Sequence, residues 1–440
     1  MLHRRLDIKL QIAICVFLAV GAYVLVNVEL PPWSHVISAF SVVAFAIPTM
    51  LVLRLWLGTR DGLALFGILA GVALLIETLA IITGFPYGHF DYSGHLGFKL
   101  FGVVPWTVAF AWPPLMLGAY SAAANLTARV AWRLLIATLL MVAFDLVLDP
   151  GAVYLGFWRY ADAGWFYGVP VSNFAGWMVT SLIGASIMEI TVRRFQPLLP
   201  VPVQILTAPV FILFFWSAIA VFANLHLAFF VAMGVQTFLS VLQVTRGYNF
   251  DEMIVLVDDR DHPLGTAPKI PTHDVDTPLH RAFSVFIFNS KGELLLQQRA
   301  LSKKTWPGVW SNSCCGHVML HETTENAAAR RLRFELGLQG IDLLTALPDF
   351  RYRAEKDGVV ENEICPVLVG KTDKRPDPNP REVADTRWIP WDAFLASLDE
   401  PGNEISPWAV EEVRLLAGSD LFRRWFAGNV PASGIGGAMC

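Results

Sequence analysis

Charge is what the first part of this chain has least of. Only 16% of the 440 residues are Asp, Glu, Lys or Arg and 55% are hydrophobic, where about 25% charged is usual for a soluble protein. The shortage is local. Charged residues are sparse from Leu10 to Thr245, and from Asp251 to about Trp425 they are as dense as in an ordinary soluble domain. This excludes a single water-soluble globule and implies a membrane half followed by a soluble half. Cysteine is also scarce. Cys15, Cys314, Cys315, Cys365 and Cys440 are odd in number and form no C-x-x-C pair, which argues against a disulfide framework and fits a reducing compartment. The net charge of −4 comes with no long basic run, so no nucleic-acid partner is expected. The first apolar run is too long for a cleavable secretion signal, and no A-x-A site follows it.

Hydropathy gives about eight candidate spans, each near the length a bilayer requires: 11–29, 36–57, 62–84, 103–124, 130–148, 171–191, 206–224 and 226–245. Arg4, Arg5, Lys9, Arg54, Arg60, Arg129, Arg133, Arg193, Arg194 and Arg246 fall on one set of connections, and the other set holds only Lys99 and Arg159. Lys and Arg favour the cytoplasmic side. A multi-pass protein of the cell inner membrane is therefore expected, with its N-terminus and its soluble domain both cytoplasmic.

Acids at membrane depth are costly, about 2.5–3.5 kcal/mol each at a helix centre. Glu77 and Asp145 lie deep in their spans. Asp149 and Glu189 fall near span ends, where reaching the interface is the simpler reading. The connection from Gly84 to Tyr92 carries His89 and Asp91 among aromatics, and the one from Pro150 to Pro170 carries Tyr154, Trp158, Tyr160, Trp165, Phe166 and Tyr167. Such rings form interfacial belts, or hold a carbocation against their faces. The stretches "TGFPYGHFDYSGHLGFKLFGVVPW" and "FDLVLDPGAVYLGFWRY", with Glu77 before them, resemble the integral-membrane carotenoid biosynthesis family of carotenoid hydratases and lycopene cyclase-like proteins. That resemblance implies an acyclic carotenoid as partner within the lipid bilayer. It also implies an acid such as Glu77, Asp145 or Asp149 that protonates a terminal double bond. A passive anchor and a prenyl-lipid binding module are the alternatives.

In the soluble half, Glu252 to Asp258 reads as a strand, and "AFSVFIFNSKGELLLQQRA" as two strands around Asn289-Ser-Lys-Gly292. Thr323–Leu336 and Pro407–Arg424 read as helices. Gly316, Glu322, Arg330, Glu335 and Gly337 have the spacing of a Nudix box, in which acids on a helix hold Mg2+ against a diphosphate. Arg331 and Phe334 replace two of its acids, which argues against the alternative of a diphosphate hydrolase.

"ALSKKTWPGVWSNSCCGH", "DFRYRA", "VENEICPV" and "SPWAV", in this order, resemble type I isopentenyl-diphosphate isomerase. The resemblance implies that isopentenyl and dimethylallyl diphosphate are the substrates, converted by protonation and deprotonation. By position it implies Cys315 and Glu363 as the acid–base pair, Tyr352 as the residue holding the carboxylate and Trp408 as the shield of the cation. It further implies His273, His280, His317, Glu361 and Glu363 as ligands of a second divalent metal, Zn2+ or Mn2+, and Glu335 as the ligand of Mg2+. Lys269, Arg299, Lys303 and Arg330 would meet the diphosphate. The expected architecture is an all-α polytopic membrane bundle of about eight spans over residues 1–248, an α+β Nudix-like domain over 249–426 and a flexible tail over 427–440.

Overall fold

The computed structural model describes residues 8–400 and 404–429. Arg4, Arg5, Cys440 and the expected tail from residue 430 onward lie outside the described residues. The chain divides into two compact units, with the boundary between Asn249 and Phe250.

In the first unit the helices are α1 (Ile8–Asn27), α2 (His35–Thr83), α3 (Val108–Leu126), α4 (Val130–Tyr154), α5 (Val171–Phe195), α6 (Thr207–Phe222) and α7 (His226–Arg246). Although α2 has 49 residues, Gly58 breaks it at φ 80° and ψ 172°, a conformation glycine reaches without a Cβ clash. Two helical segments follow each other there, where two spans were expected. By length and hydropathy α1, α2, α4, α5, α6 with its preceding turn, and α7 could cross a membrane. The exception is α3. It contains Pro113 and Pro114, is buried from Trp112 to Ala123, and packs against α2, α4, α5 and α6. Its close approach to α6 depends on Gly118, where a Cβ would lie 2.3 Å from Pro209 Cγ. Phe17, Phe40, Leu75, Ile190 and Phe230 face outward, the exposure of large apolar side chains that lipid tolerates and water does not. α4 runs through Pro150, beyond the expected end at 148, so Asp149 lies inside a helix and is buried.

Short strands cap this unit: β1 (Phe90–Tyr92), β2 (Lys99–Leu100), β3 (Val104–Pro105) and β4 (Trp158–Tyr160). β1 and β4 form an antiparallel ribbon with Phe90 opposite Tyr160 and Tyr92 opposite Trp158.

The second unit is built on β5 (Met253–Val257), β6 (Pro263–Pro268), β7 (His280–Phe288), β8 (Glu293–Arg299), β9 (Trp310–Ser311), β10 (Cys314–His317), β11 (Leu343–Leu347), β12 (Arg351–Lys356), β13 (Val359–Ile364), β14 (Val367–Lys371) and β15 (Val383–Pro390). Its helices are α8 (Lys269–Thr272), α9 (Thr324–Leu336), α10 (Trp391–Ser397), α11 (Pro407–Gly418) and α12 (Asp420–Phe426). β7 is the axis, parallel to β13 and β14 and antiparallel to β10. Strand alternation divides its side chains between two cores. Phe283, Val285 and Ile287 pack with Ala327, Ala328, Leu332 and Leu336 of α9. Ala282, Phe286 and Phe288 pack with Trp391, Trp408, Phe422 and Trp425 of α10, α11 and α12. The last expected helix is two, because Ser419 leaves α11 in an extended conformation and caps α12 by accepting from the Phe422 N–H. Ala427, Gly428 and Asn429 close α12 through backbone hydrogen bonds.

Candidate metal and acid–base centre

Three imidazoles and two carboxylates converge on the β7 face that carries the aromatic core. His280 opens β7 and pairs in register with Glu363 of β13. His317 ends β10 opposite Ala282, and His273 follows α8. Glu361 and Glu363 are two apart on β13 and so share a face. The ligating atoms of all five lie within 4.8 Å of one another. His280 Nε2 is 3.1 Å from His317 Nε2. Glu363 Oε1 is 3.4 Å from His280 Nε2 and 3.2 Å from His317 Nε2, and Glu361 Oε2 is 3.2 Å from His273 Nε2. Two rings have their tautomer set from behind: His273 Nδ1 meets Lys269 O at 2.6 Å and His280 Nδ1 meets Pro278 O at 2.8 Å. A carbonyl only accepts, so these Nδ1 atoms carry the proton and the inward Nε2 atoms present lone pairs. This is the form in which imidazole binds a metal, and a borderline-soft divalent ion suits the donor set.

The acid–base candidates come from the strands on either side of β7. Cys315 of β10 pairs with Ser284 and Glu363 of β13 pairs with His280. Both therefore project on the face that carries Ser284 and His280. The adjacent Cys314 turns into the core beneath α9. Cys315 Sγ lies 2.9 Å from Asn312 Oδ1 and 3.5 Å from Ser284 Oγ. Asn312 Nδ2 is spent on Val285 O and Cys314 O, which leaves its oxygen facing sulfur, so the thiol donates. Burial, with the nearby Glu412 carboxyl, pushes this thiol up to about 12. Glu363 Oε2 accepts from the Tyr352 hydroxyl at 2.8 Å. Burial alone would raise Glu363, but contacts from His280 and Tyr352 hold it below the usual carboxylate range. Trp408 tilts against Tyr352 with ring centroids 5.6 Å apart and meets Trp306 edge-on at 5.0 Å.

The expected phosphate contacts divide into two groups. Lys269, Arg299 and Lys303 share a basic region with Arg331, and partial burial together with Arg331 and Lys303 pushes the Lys269 ammonium down to about 8. Within it Lys303 Nζ is 2.5 Å from Glu382 Oε2, and Arg299 donates to Thr305 O and Trp306 O. Arg330 is used elsewhere. Its guanidinium forks onto Glu322 at 2.9 and 2.8 Å and donates to His317 O at 3.2 Å, so it pins the loop that bears the metal ligand. Glu335 is not free for Mg2+ in this arrangement. It is buried, paired with Arg331 one helical turn earlier, and accepts from Gln297 Nε2 at 3.3 Å.

Sequence reasoning overlooked Asn312, Trp306, Arg331 and Glu412. The first two sit within recognised motifs, which gave no hint of their contacts. By residue type Arg331 signals only the loss of an acid. The one signal for Glu412 was a Glu one turn after Trp408 on an apolar helix face.

In the first unit Glu77, Asp145 and Asp149 are brought together beneath the β1–β4 ribbon. His89 and Asp91 are not; both are exposed, and Asp91 lies on the ribbon face opposite Phe90 and Tyr92. Glu189 is separate, bonded to Arg133, Arg193 and Tyr120 at 2.7, 2.9 and 2.8 Å.

Residues 34–242 match the family described as carotenoid biosynthesis protein, and residues 278–409 match the NUDIX domain. An isopentenyl-diphosphate Delta-isomerase of Mycolicibacterium vanbaalenii is 48% identical over 174 residues, 39% of this chain and 96% of the relative. One of Saccharopolyspora erythraea is 50% identical over 166 residues, 38% of this chain and 86% of the relative.

Proposed function

Since the chain belongs, through its second unit, to the isopentenyl-diphosphate Delta-isomerase family, we propose that this unit interconverts isopentenyl and dimethylallyl diphosphate, with Cys315 and Glu363 as its acid–base pair. The observation that carries the reading is their projection from the two strands flanking β7 onto one face. An alkene between them meets a proton-exchanging group on each side. One group gives a proton to the terminal carbon, the neighbouring tertiary carbon becomes cationic, and the other group takes a proton from the next carbon. Proton transfer by positioned groups of this kind contributes about 10²–10⁴-fold to rate. The Trp408 ring face stabilises the positive charge. Tyr352 keeps the Glu363 carboxylate oriented through its hydroxyl.

His273, His280, His317, Glu361 and Glu363 would hold Zn2+ or Mn2+, which when bound fixes the Glu363 carboxylate and tunes its affinity for a proton. Lys269, Arg299 and Lys303 receive the diphosphate, helped by Arg331; Arg and Lys are apt partners for phosphate oxygens. Glu335 does not fit Mg2+ while Arg331 occupies it. The same ion pair disfavours diphosphate hydrolysis, which would need free carboxylates on α9.

For the first unit the reading is modification of an acyclic carotenoid at a terminal double bond, by hydration or ring closure. The family match over residues 34–242 and the buried acids support it over an anchor or a prenyl-lipid binding module. The placement of Lys and Arg supports a multi-pass protein of the inner membrane with the second unit in the cytoplasm.

The test of the isomerase assignment uses the full chain in lipid vesicles with isopentenyl diphosphate. In Cys315→Ala and Glu363→Gln, conversion falls by about a thousandfold. Turnover at the parent rate in either variant overturns the assignment.

A further inference from the structure

The isomerase reaction has no use for Glu77, Asp145 and Asp149. Asp145 and Asp149 stand one turn apart on α4 and are 0% and 3% exposed. Both accept from one atom, Asn173 Nδ2 on α5, at 2.8 and 2.6 Å. Asp149 Oδ2 also accepts from the Tyr160 hydroxyl at 2.6 Å, and Glu77 Oε2 accepts from the Tyr92 hydroxyl at 3.0 Å. Tyr92 and Tyr160 come from the two strands of the β1–β4 ribbon, so one small element supplies both phenols. Asp145 Oδ1 is buried with no hydrogen-bond partner among the described residues. None of the three acids forms an ion pair among those residues, in contrast to Glu189 with Arg133 and Arg193. Two carboxyl groups around one amide, with no cation beside them, cannot both be charged, and the pair holds a proton.

Glu77 and Asp149 open on a cavity of about 840 Å³, within the range of small-molecule sites. Its walls include Phe45, Trp112, Trp158, Trp177, Phe215 and Trp216, and the two acids are the only charged side chains on it among the described residues. The cavity suits an uncharged hydrocarbon and offers it a proton at one place.

We propose that Asp149 and Glu77 are the acid and the base of a second catalytic site, which protonates the terminal C=C of an acyclic isoprenoid chain held in this cavity. The proposal rests on the carotenoid reading of the first unit. Asp149, backed by the proton it shares with Asp145, transfers H+ to the less substituted alkene carbon. The π pair becomes the new C–H bond, and the adjacent tertiary carbon becomes a cation facing aromatic rings. If water captures it, a C–O bond forms and the proton released from that water goes to the Glu77 carboxylate. If an internal double bond captures it, a ring C–C bond forms and a carbon-bound proton goes to Glu77. In either case one proton enters and one leaves.

The test expresses the full chain in a lycopene-producing host, with the isomerase rate of the same membranes reporting the amount of folded protein. The parent chain converts lycopene to a product that is heavier by one water or carries a new ring. Incubation of the membranes with unlabelled lycopene in D2O places one deuterium on the carbon next to the former cation. Asp149→Asn and Glu77→Gln lose about a hundredfold or more of this conversion while the isomerase rate persists. Conversion at the parent rate in either variant overturns the acid–base assignment. A parent chain that leaves lycopene and other acyclic carotenoids unchanged overturns the carotenoid reading itself.

Discussion

Both units bury carboxylates, and each keeps them by different means. In the second unit Glu363 and Glu335 each have a partner that donates a proton or carries charge, and Glu361 and Glu363 stand among imidazoles whose lone pairs can share a divalent cation. Glu363 accepts from the Tyr352 hydroxyl, and Glu335 pairs with Arg331. In the first unit Asp145 and Asp149 have an amide and a phenol between them and no cation among the described residues. A buried carboxylate without a counter-charge is too costly to stay ionised, whereas one beside a guanidinium, or in a cluster that binds a divalent cation, remains an anion. The difference matches the tasks assigned above. An ionised cluster suits a divalent metal, and a proton-holding pair suits the protonation of an alkene that has no charged handle.

Chelation breaks this comparison most sharply. Removing divalent metal with a strong chelator should abolish isomerase activity in the full chain and leave carotenoid conversion by the same membranes unchanged. Rates measured in parallel check it, and equal sensitivity of the two activities would show that the first unit also depends on a metal. Next in size is the Arg331–Glu335 pair. Arg331→Met strands a buried Glu335 charge and should cost the second unit about 3 kcal/mol. Arg331→Met with Glu335→Leu should recover most of that in urea unfolding followed by the fluorescence of its tryptophans.

A smaller effect concerns Lys269, whose ammonium sits at about 8. A lowered lysine pKa means that the cation is lost as pH rises through 8, so KM for isopentenyl diphosphate should climb above that pH. Lys269→Met should raise KM about tenfold at pH 7, near 1.4 kcal/mol of binding, and remove the alkaline limb. The smallest is a rate at one atom. With its thiol near 12, Cys315 should alkylate slowly at neutral pH, with the rate rising about tenfold per pH unit up to pH 10. A plateau near pH 8 would show that the thiol is not held in its protonated form.

Much of the fold was legible because its signals are local. Apolar runs locate α1, α2 and α4 to α7, and Asn289-Ser-Lys-Gly292 locates the β7–β8 hairpin. The break of α2 at Gly58 was legible as a gap between two spans. The enclosure of α3 by other helices was not, since burial by protein and burial by lipid select the same residues. The burial of Asp149 was not legible, because Pro150 looks like a helix end, while α4 continues through it to Tyr154. His89 and Asp91 looked as suitable as Glu77 by residue type, and only strand alternation in the β1–β4 ribbon turns Asp91 away from the acids.

In the site, each candidate ligand could be named from its motif, but what each side chain touches depends on register. Cys315 faces Ser284 and Cys314 faces the other core because β10 pairs with β7 at that offset and no other. A shift of one residue would exchange the two thiols.

The sequence by itself determined where an apolar half ends and a charged half begins, which segments are helical or extended, and which residue types are available for proton transfer and metal binding. These follow from composition and from periodicities spanning a few residues. Only the tertiary structure decided that Arg331 occupies Glu335, that Arg330 pins the His317 loop, and that Asp145 and Asp149 meet at Asn173 with no counter-charge among the described residues. Those outcomes join residues far apart in the chain, or choose between partners equally near in sequence. Packing alone determines which charge is paired and which must keep its proton.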